Sequence, residues 1–182
     1  MLKHFFILFF FILISNTYGS NIEEIIKNLK KTKNINFNFE QNINGKIENG
    51  NCTLEYPKKI FCEYSKSNNK ILISNGKSLV IKTRTSYYRY PLNKTPLNLI
   101  LDKKFLISKI YDIEGRIKDD STINFTIKEN DSEIDIFFDN QTFNLVGWQT
   151  KDIYQNFNIT FLSSIRVNQV VTKNLFKLPP QN

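Results

Sequence analysis

The chain carries one histidine, His4, two cysteines, Cys52 and Cys62, and two groups of closely spaced carboxylates, Asp119-Asp120 and Asp131/Glu133/Asp135. Each type has a characteristic chemistry. An imidazole deprotonates a serine or cysteine nucleophile, or holds zinc. Paired carboxylates divide acid and base work in hydrolysis. A thiolate attacks once a neighbouring cation or dipole lowers its pKa. The positions argue against each in turn. His4 lies in a segment that reads as removable, which leaves no imidazole for Ser-His-Asp, Cys-His or zinc sites. Neither cysteine has a histidine or a Cys-x-x-Cys partner. Asp119-Asp120 falls in a predicted turn, and Asp131, Glu133 and Asp135 alternate as on the solvent face of a strand. An exported hydrolase using these acids is the rival reading, with loss of activity in Asp135→Asn as its sign. The expectation is a non-enzyme without metal or cofactor.

The removable segment is residues 1–19. Lys3 supplies a positive charge, Phe5–Ile14 is an unbroken apolar run, and Ser15–Ser20 is polar and small. This is the layout of a secretory signal peptide, with cleavage expected after Gly19. The run is about half the ~20 residues of a spanning helix, so a retained anchor is the weaker alternative. No cysteine follows the run, so it lacks the layout of a lipoprotein signal. The expected product is one exported, soluble domain, residues 20–182, in the periplasm.

The formal net charge is +8. Such a balance suits nucleic acid or an anionic membrane. Here the lysines are scattered and no run of like charge exceeds four, so no nucleic-acid partner is expected. Asn-x-Ser/Thr sequons at Asn51, Asn124, Asn130, Asn140 and Asn158 follow from the richness in asparagine. An even cysteine count in an exported chain favours a disulfide.

Those chemistry-bearing residues rest on a pattern of strands. Ser20 through Glu23 has the form of a capping box, and Ile22, Ile25, Ile26 and Leu29 follow at helical spacing, predicting an amphipathic helix over 21–32. From Ile35 the apolar period becomes two, through Phe37 and Phe39 to Ile43. Further strands are expected near 50–56, 60–66, 70–75, 78–84, 87–91, 110–117, 122–129, 133–139, 143–151 and 156–163. Turns are expected at Asn44-Gly45, Asn49-Gly50, Pro57-Lys58, Asn68-Asn69 and Asn75-Gly76. The whole describes an antiparallel meander. Around Pro57, a register in which opposed positions sum to 114 places Cys52 opposite Cys62 and Leu54 opposite Ile60. One face then carries Cys52, Leu54, Ile60, Cys62 and Tyr64, while the other is mostly polar. A cross-strand disulfide is expected, with two buried free thiols as the alternative. Thr95 and Pro96 open a short Leu-rich helix through Leu101, too short to stand alone, which must lean on the sheet.

Several pieces, in this order, resemble the LolA-like periplasmic lipoprotein carriers. They are Phe39-Glu40-Gln41, the hairpin Gly50–Tyr64 with Tyr56-Pro57, Ile73–Leu79 with its Asn-Gly-Lys turn, and Thr95–Leu101. Gly147-Trp148 and Phe176-x-x-Pro179 complete the set. The resemblance spans about residues 22–180. It implies a mainly β fold, an incomplete (half-open) antiparallel β-barrel, with an N-terminal helix and the short Leu-rich helix as a lid over an apolar concave face. It also implies a chaperone that shields the acyl chains of a lipoprotein. The cargo would come from an inner-membrane ABC transporter and pass to an outer-membrane receptor, the carrier acting as a monomer. Phe37, Phe39, Leu54, Ile60, Tyr56 and Trp148 are then expected to wall the acyl cavity, and Pro96, Leu97, Leu99, Ile100 and Leu101 to form its lid. Ordinary core packing is the bland account of the same residues. Related half-barrels that act as sensor domains are the second functional reading. One departure stands out: the family usually has Arg where this chain has Tyr56, and that Arg ties the lid closed. Lys58, Lys59 or Arg89 are the candidates to replace it.

Overall fold

The structure is a computed structural model that describes residues 17–65, 68–113, 116–118, 121–129, 132–151 and 156–181. The expected signal segment lies almost wholly outside these residues, as do Asp119, Asp120 and Asp131. Among the described residues no helix is long and apolar enough to cross a membrane.

Helix α1 (Thr17–Lys31) is followed by β1 (Asn34–Ile43), β2 (Lys46–Glu55), β3 (Lys59–Tyr64), β4 (Ile71–Asn75), β5 (Ser78–Lys82) and β6 (Tyr87–Pro91). A helical stretch then holds a 3-10 turn (Leu92–Lys94), α2 (Leu97–Ile100) and α3 (Lys103–Asp112). Strands β7 (Arg116–Lys118), β8 (Thr122–Glu129), β9 (Ser132–Asp139), β10 (Leu145–Lys151) and β11 (Phe157–Val167) complete the fold. All eleven strands form one sheet in the order β6-β5-β4-β3-β2-β1-β11-β10-β9-β8-β7. Each half is a meander, and the β1–β11 pair joins them, with Phe39 opposite Leu162 and Gln41 opposite Thr160. The sheet does not close on itself. Its edges are β6 and β7, and the helical stretch carries the chain from one edge to the other. This is the half-open antiparallel barrel expected.

Alternation puts Ile35, Phe37 and Phe39 of β1 on the inner face with Leu54, Ile123, Phe125, Ile134, Ile136 and Phe138, all buried. Helix α1 adds Ile25, Ile26 and Leu29, and α3 adds Leu106 and Ile110, so this part of the concavity is packed solid.

Four local expectations are corrected. Ser20 lies within α1, because Thr17–Gly19 extend the helix ahead of it in the uncut chain. Asn49-Gly50 is the middle of β2 rather than a turn. Residues 103–112, partly read as strand, form α3: Asp102 caps it by accepting from the Phe105 N–H at 3.1 Å, and Leu106 and Ile110 give it a helical stripe. Thr95 does not cap α2; its hydroxyl donates to the Leu92 carbonyl at 2.8 Å, and Pro96 stands at the N-cap without a side-chain bond.

Candidate functional site: an apolar cavity beneath α2

The β2–β3 hairpin pairs Cys52 with Cys62 and Leu54 with Ile60, the register read from the sequence. The two cysteines form a disulfide. Along β3 the inward residues Ile60, Cys62 and Tyr64 floor a cavity of about 220 Å³. Ile60 and Tyr64 are four residues apart, so at ~3.3 Å per residue the floor runs roughly 13 Å. Leu72 of β4 and Leu79 and Ile81 of β5 form one wall, and Phe39 and Trp148 the other. Pro96, Leu97 and Ile100 of the α2 segment roof it.

The structure thus gathers Phe39, Ile60, Trp148, Pro96, Leu97 and Ile100 around one space, with the disulfide in its floor. It places the other candidates elsewhere. Phe37 is buried beside Trp148, its ring edge-on at 6.2 Å. Leu54 and Leu101 are fully buried in the packed part of the core. Leu99 faces an outer groove with Phe105 and Glu129. That groove is larger but mostly polar, so the mainly apolar cavity is the better candidate. Leu72, Leu79 and Ile81 were not singled out as wall residues in the sequence. Their alternation within β4 and β5 was the available signal.

One end of the cavity is polar. Tyr64 Oη donates to Gln41 Oε1 at 3.1 Å, and Gln41 Nε2 donates to Thr160 Oγ1 at 3.1 Å. Thr150 and Asn158, paired across β10 and β11, lie alongside. Strand parity alone could have pointed to these residues, since nothing in their type marks a cavity. Behind Tyr64 the buried Glu48 carboxylate meets Lys46 at 3.0 Å and Lys70, whose ammonium also lies 4.0 Å from the centre of the Tyr64 ring. Burial pushes the Glu48 carboxyl up, but the two lysines outweigh it and hold the group below the usual carboxylate range. Burial, with the Glu48 charge behind it, pushes the Tyr64 phenol up, so it stays a neutral donor.

Tyr56 does not take over the role of the family's arginine. Its buried hydroxyl has no partner, and burial pushes the phenol up. The Lys103 ammonium lies 5.5 Å from the centre of its ring and donates to the Thr32 carbonyl at 2.7 Å, tying α3 to the end of α1. Among the three basic candidates, Lys59 pairs with Glu55 and Arg89 donates to Ser78. Lys58 alone of these reaches the roof: its N–H donates to the Leu101 carbonyl at 2.9 Å and its ammonium meets Asp102 at 3.2 Å. Both side chains are about a third exposed, so the ion pair contributes about 0.5–1 kcal/mol. Lys58→Met should therefore speed amide hydrogen exchange at 97–101 by roughly two- to fivefold, with the rest of the sheet unaffected. Unchanged exchange there would show that the backbone bond alone holds the roof.

The described carboxylates of the rival hydrolase reading, Glu133 and Asp135, do not line this cavity. Glu133 is paired with Lys128 and Lys151, and Asp135 accepts from Thr126 and Gln149.

An open antiparallel sheet curved round a mainly apolar cavity and roofed by a short helix defines a half-barrel. The chain belongs to the LolA family, the outer membrane lipoprotein carrier proteins, whose family model matches residues 30–179. Its fold is similar to that of an uncharacterized conserved protein from Thermus thermophilus, with TM-score 0.53 and 5% identity over 90% of this chain and 95% of that one. LprF from Mycobacterium bovis matches with TM-score 0.48 and 12% identity over 87% and 97%. A LolA superfamily protein from Nitrosomonas europaea gives 0.45 and 7% over 88% and 97%. No curated protein matches the chain significantly.

Proposed function

We propose that this protein is a periplasmic carrier that shields lipoprotein acyl chains in the cavity and moves them from the inner to the outer membrane. An ABC transporter would supply the cargo and an outer-membrane receptor would take it. The supporting observation is the lidded cavity, apolar along most of its length, in a member of the LolA family. Acyl chains exposed to water cost roughly 25 cal/mol per Å², which only an apolar enclosure offsets during transit. The cavity is smaller than the ~300–1,000 Å³ of ordinary small-molecule sites. Holding the acyl chains of a lipoprotein requires it to expand, by lifting of the α2 roof and release of the Lys58–Asp102 contact beside it.

The direct test adds mature protein to spheroplasts of its own source and probes the supernatant. Release of an acylated lipoprotein in a one-to-one complex supports the carrier. No release by folded, oxidised protein overturns it in favour of a sensor domain or a binder of free lipid. A second test fills the cavity. Leu97 is only half-buried, so Leu97→Trp should preserve folding while weakening binding of a fluorescent acyl probe at least tenfold, about 1.4 kcal/mol. Undiminished binding would place the ligand elsewhere.

A further inference from the structure

The polar lining at one end of the cavity has an apolar counterpart on the outside of the sheet. In β11, Asn158 and Thr160 line the cavity, so Phe157, Ile159 and Phe161 point outward. In β2, Glu48 is buried while Ile47 before it is exposed. At this end both strands invert the usual pattern of apolar inside and polar outside. The two inversions meet in space. Ile47 and Ile159 flank Asn42 of β1 on either side, and Phe157 and Phe161 extend the row along β11. Ile47 and Phe157 are each 49% exposed and Phe161 is 53% exposed. Phe161 also stacks on the buried Phe137, with ring centres 5.9 Å apart. Single exposed apolar side chains are ordinary, but a contiguous stripe marks a surface that meets a partner.

The charges bordering the stripe select that partner. Lys151 stands opposite Phe157, its ammonium 5.3 Å from the ring centre. It shares the Glu133 carboxylate with Lys128, at 3.0 and 3.1 Å. On the other flank Lys46 and Lys70 share the Glu48 carboxylate. In each cluster two ammonium groups meet one carboxylate, which leaves one net positive charge on either side. The Lys46 and Lys128 side chains are each 74% exposed. Glu40, opposite Phe161, borders the stripe further back and confines the contact to its rim end. Apolar side chains set between outward-reaching lysines match an interface that is apolar within and anionic at its surface. The stripe lies on the convex side of a curved sheet, which meets a deformable surface more readily than a rigid one.

We infer that this rim, Ile47 and Phe157 with Lys46, Lys128 and Lys151, docks on the surface of a bilayer that contains anionic phospholipid. Docking would turn the polar end of the cavity, where Asn158 adjoins Phe157, toward the lipid. The contact goes beyond the carrier reading, and only its use in loading or delivery rests on that reading.

Vesicle flotation tests this on protein purified after export. Mixed phosphatidylcholine and phosphatidylglycerol vesicles should bind it about tenfold more tightly than phosphatidylcholine alone, and binding should fall as salt rises. Ile47→Ser with Phe157→Ser should weaken binding about tenfold, and folding should be kept because both side chains already face water. Lys46→Gln with Lys128→Gln should remove most of the preference for phosphatidylglycerol. Tyr111→Ser with Lys30→Gln removes a comparably exposed aromatic and lysine pair on the helices, and should change nothing. Absence of binding to anionic vesicles overturns the proposal, as does binding that the rim variants leave intact or that the Tyr111 and Lys30 variant loses equally. A dimer in solution that dissociates in the rim serine variant would assign the stripe to a second copy, and also overturns it. Binding of a soluble fluorescent acyl probe without vesicles separates this proposal from the carrier reading, and should be the same in the rim variants. Probe binding without vesicle binding overturns the docking alone. Vesicle binding without probe binding overturns the acyl cavity and leaves the docking standing.

Discussion

Gly50→Ala should destabilise the protein by about 3 kcal/mol, the upper end of what overpacking usually costs. At ~2–4 °C per kcal/mol for a domain of this size, its melting temperature should fall by roughly 6–12 °C. Gly50 sits in mid-strand between Phe39 and Tyr64, its register partners on β1 and β3. The two rings meet edge to face at 4.9 Å. A Cβ added at Gly50 would stand 2.0 Å from the Glu63 carbonyl oxygen and 2.7 Å from Phe39 Cε1. The ring can tilt, but the carbonyl belongs to the paired strand and moves only with the sheet. Away from such a clash the sign reverses, because alanine in place of a strand glycine gains about 0.5–1 kcal/mol from the unfolded chain. Thermal melting therefore decides between close approach and open space by direction as well as size. Gly45→Ala is the control. Gly45 has nothing within 4 Å of its added Cβ but a φ of +87°, so it should lose only about 1–2 kcal/mol from the left-handed backbone.

The same glycine marks where the sequence stops being legible. Asn44-Gly45 and Asn49-Gly50 are the same dipeptide, and both signal a turn. At Asn44-Gly45 both residues have positive φ, and the turn forms. At Asn49-Gly50 the glycine is needed because another strand approaches, a tertiary fact that no local pattern carries. The β2–β3 register was legible because two independent signals, the apolar faces and the cysteines, demanded the same alignment. Helix α3 was not, although Asp102 before Phe105 and the spacing of Leu106 and Ile110 were there to read; residues 110–117 read as one strand across what is the end of α3 and the start of β7. For the cavity, Leu97, Ile100 and Leu101 all have the pattern of a buried face. Only the fold separates Leu101, sunk into packed core, from Leu97 and Ile100, which roof the cavity. Periodicity tells which face of an element turns inward, but not whether the interior there is filled.

Removal of the disulfide by Cys52→Ala with Cys62→Ala should cost about 2.7 kcal/mol. The cross-link joins residues 10 apart, and the chain-entropy relation gives roughly this figure for a closed loop of that length. A fall in melting temperature of roughly 5–10 °C should follow. The folded sheet itself should persist, because β2 remains paired with β1 and β3 with β4. The loss should therefore come mainly from the unfolded chain, which expands once the staple is gone. Urea unfolding would show this as a larger m-value together with a lower midpoint. An unchanged m-value with a lower midpoint would instead place the effect in the folded sheet. The sulfurs also line the cavity, so the cross-link holds together two strands of its floor. If that floor must stay rigid while the α2 roof moves, reduction should bring a several-fold faster release of bound acyl probe. The Lys58–Asp102 contact would then not be the only control on ligand exit. Unchanged release from the reduced, still folded protein would confine the disulfide's role to stability and leave ligand retention to the roof.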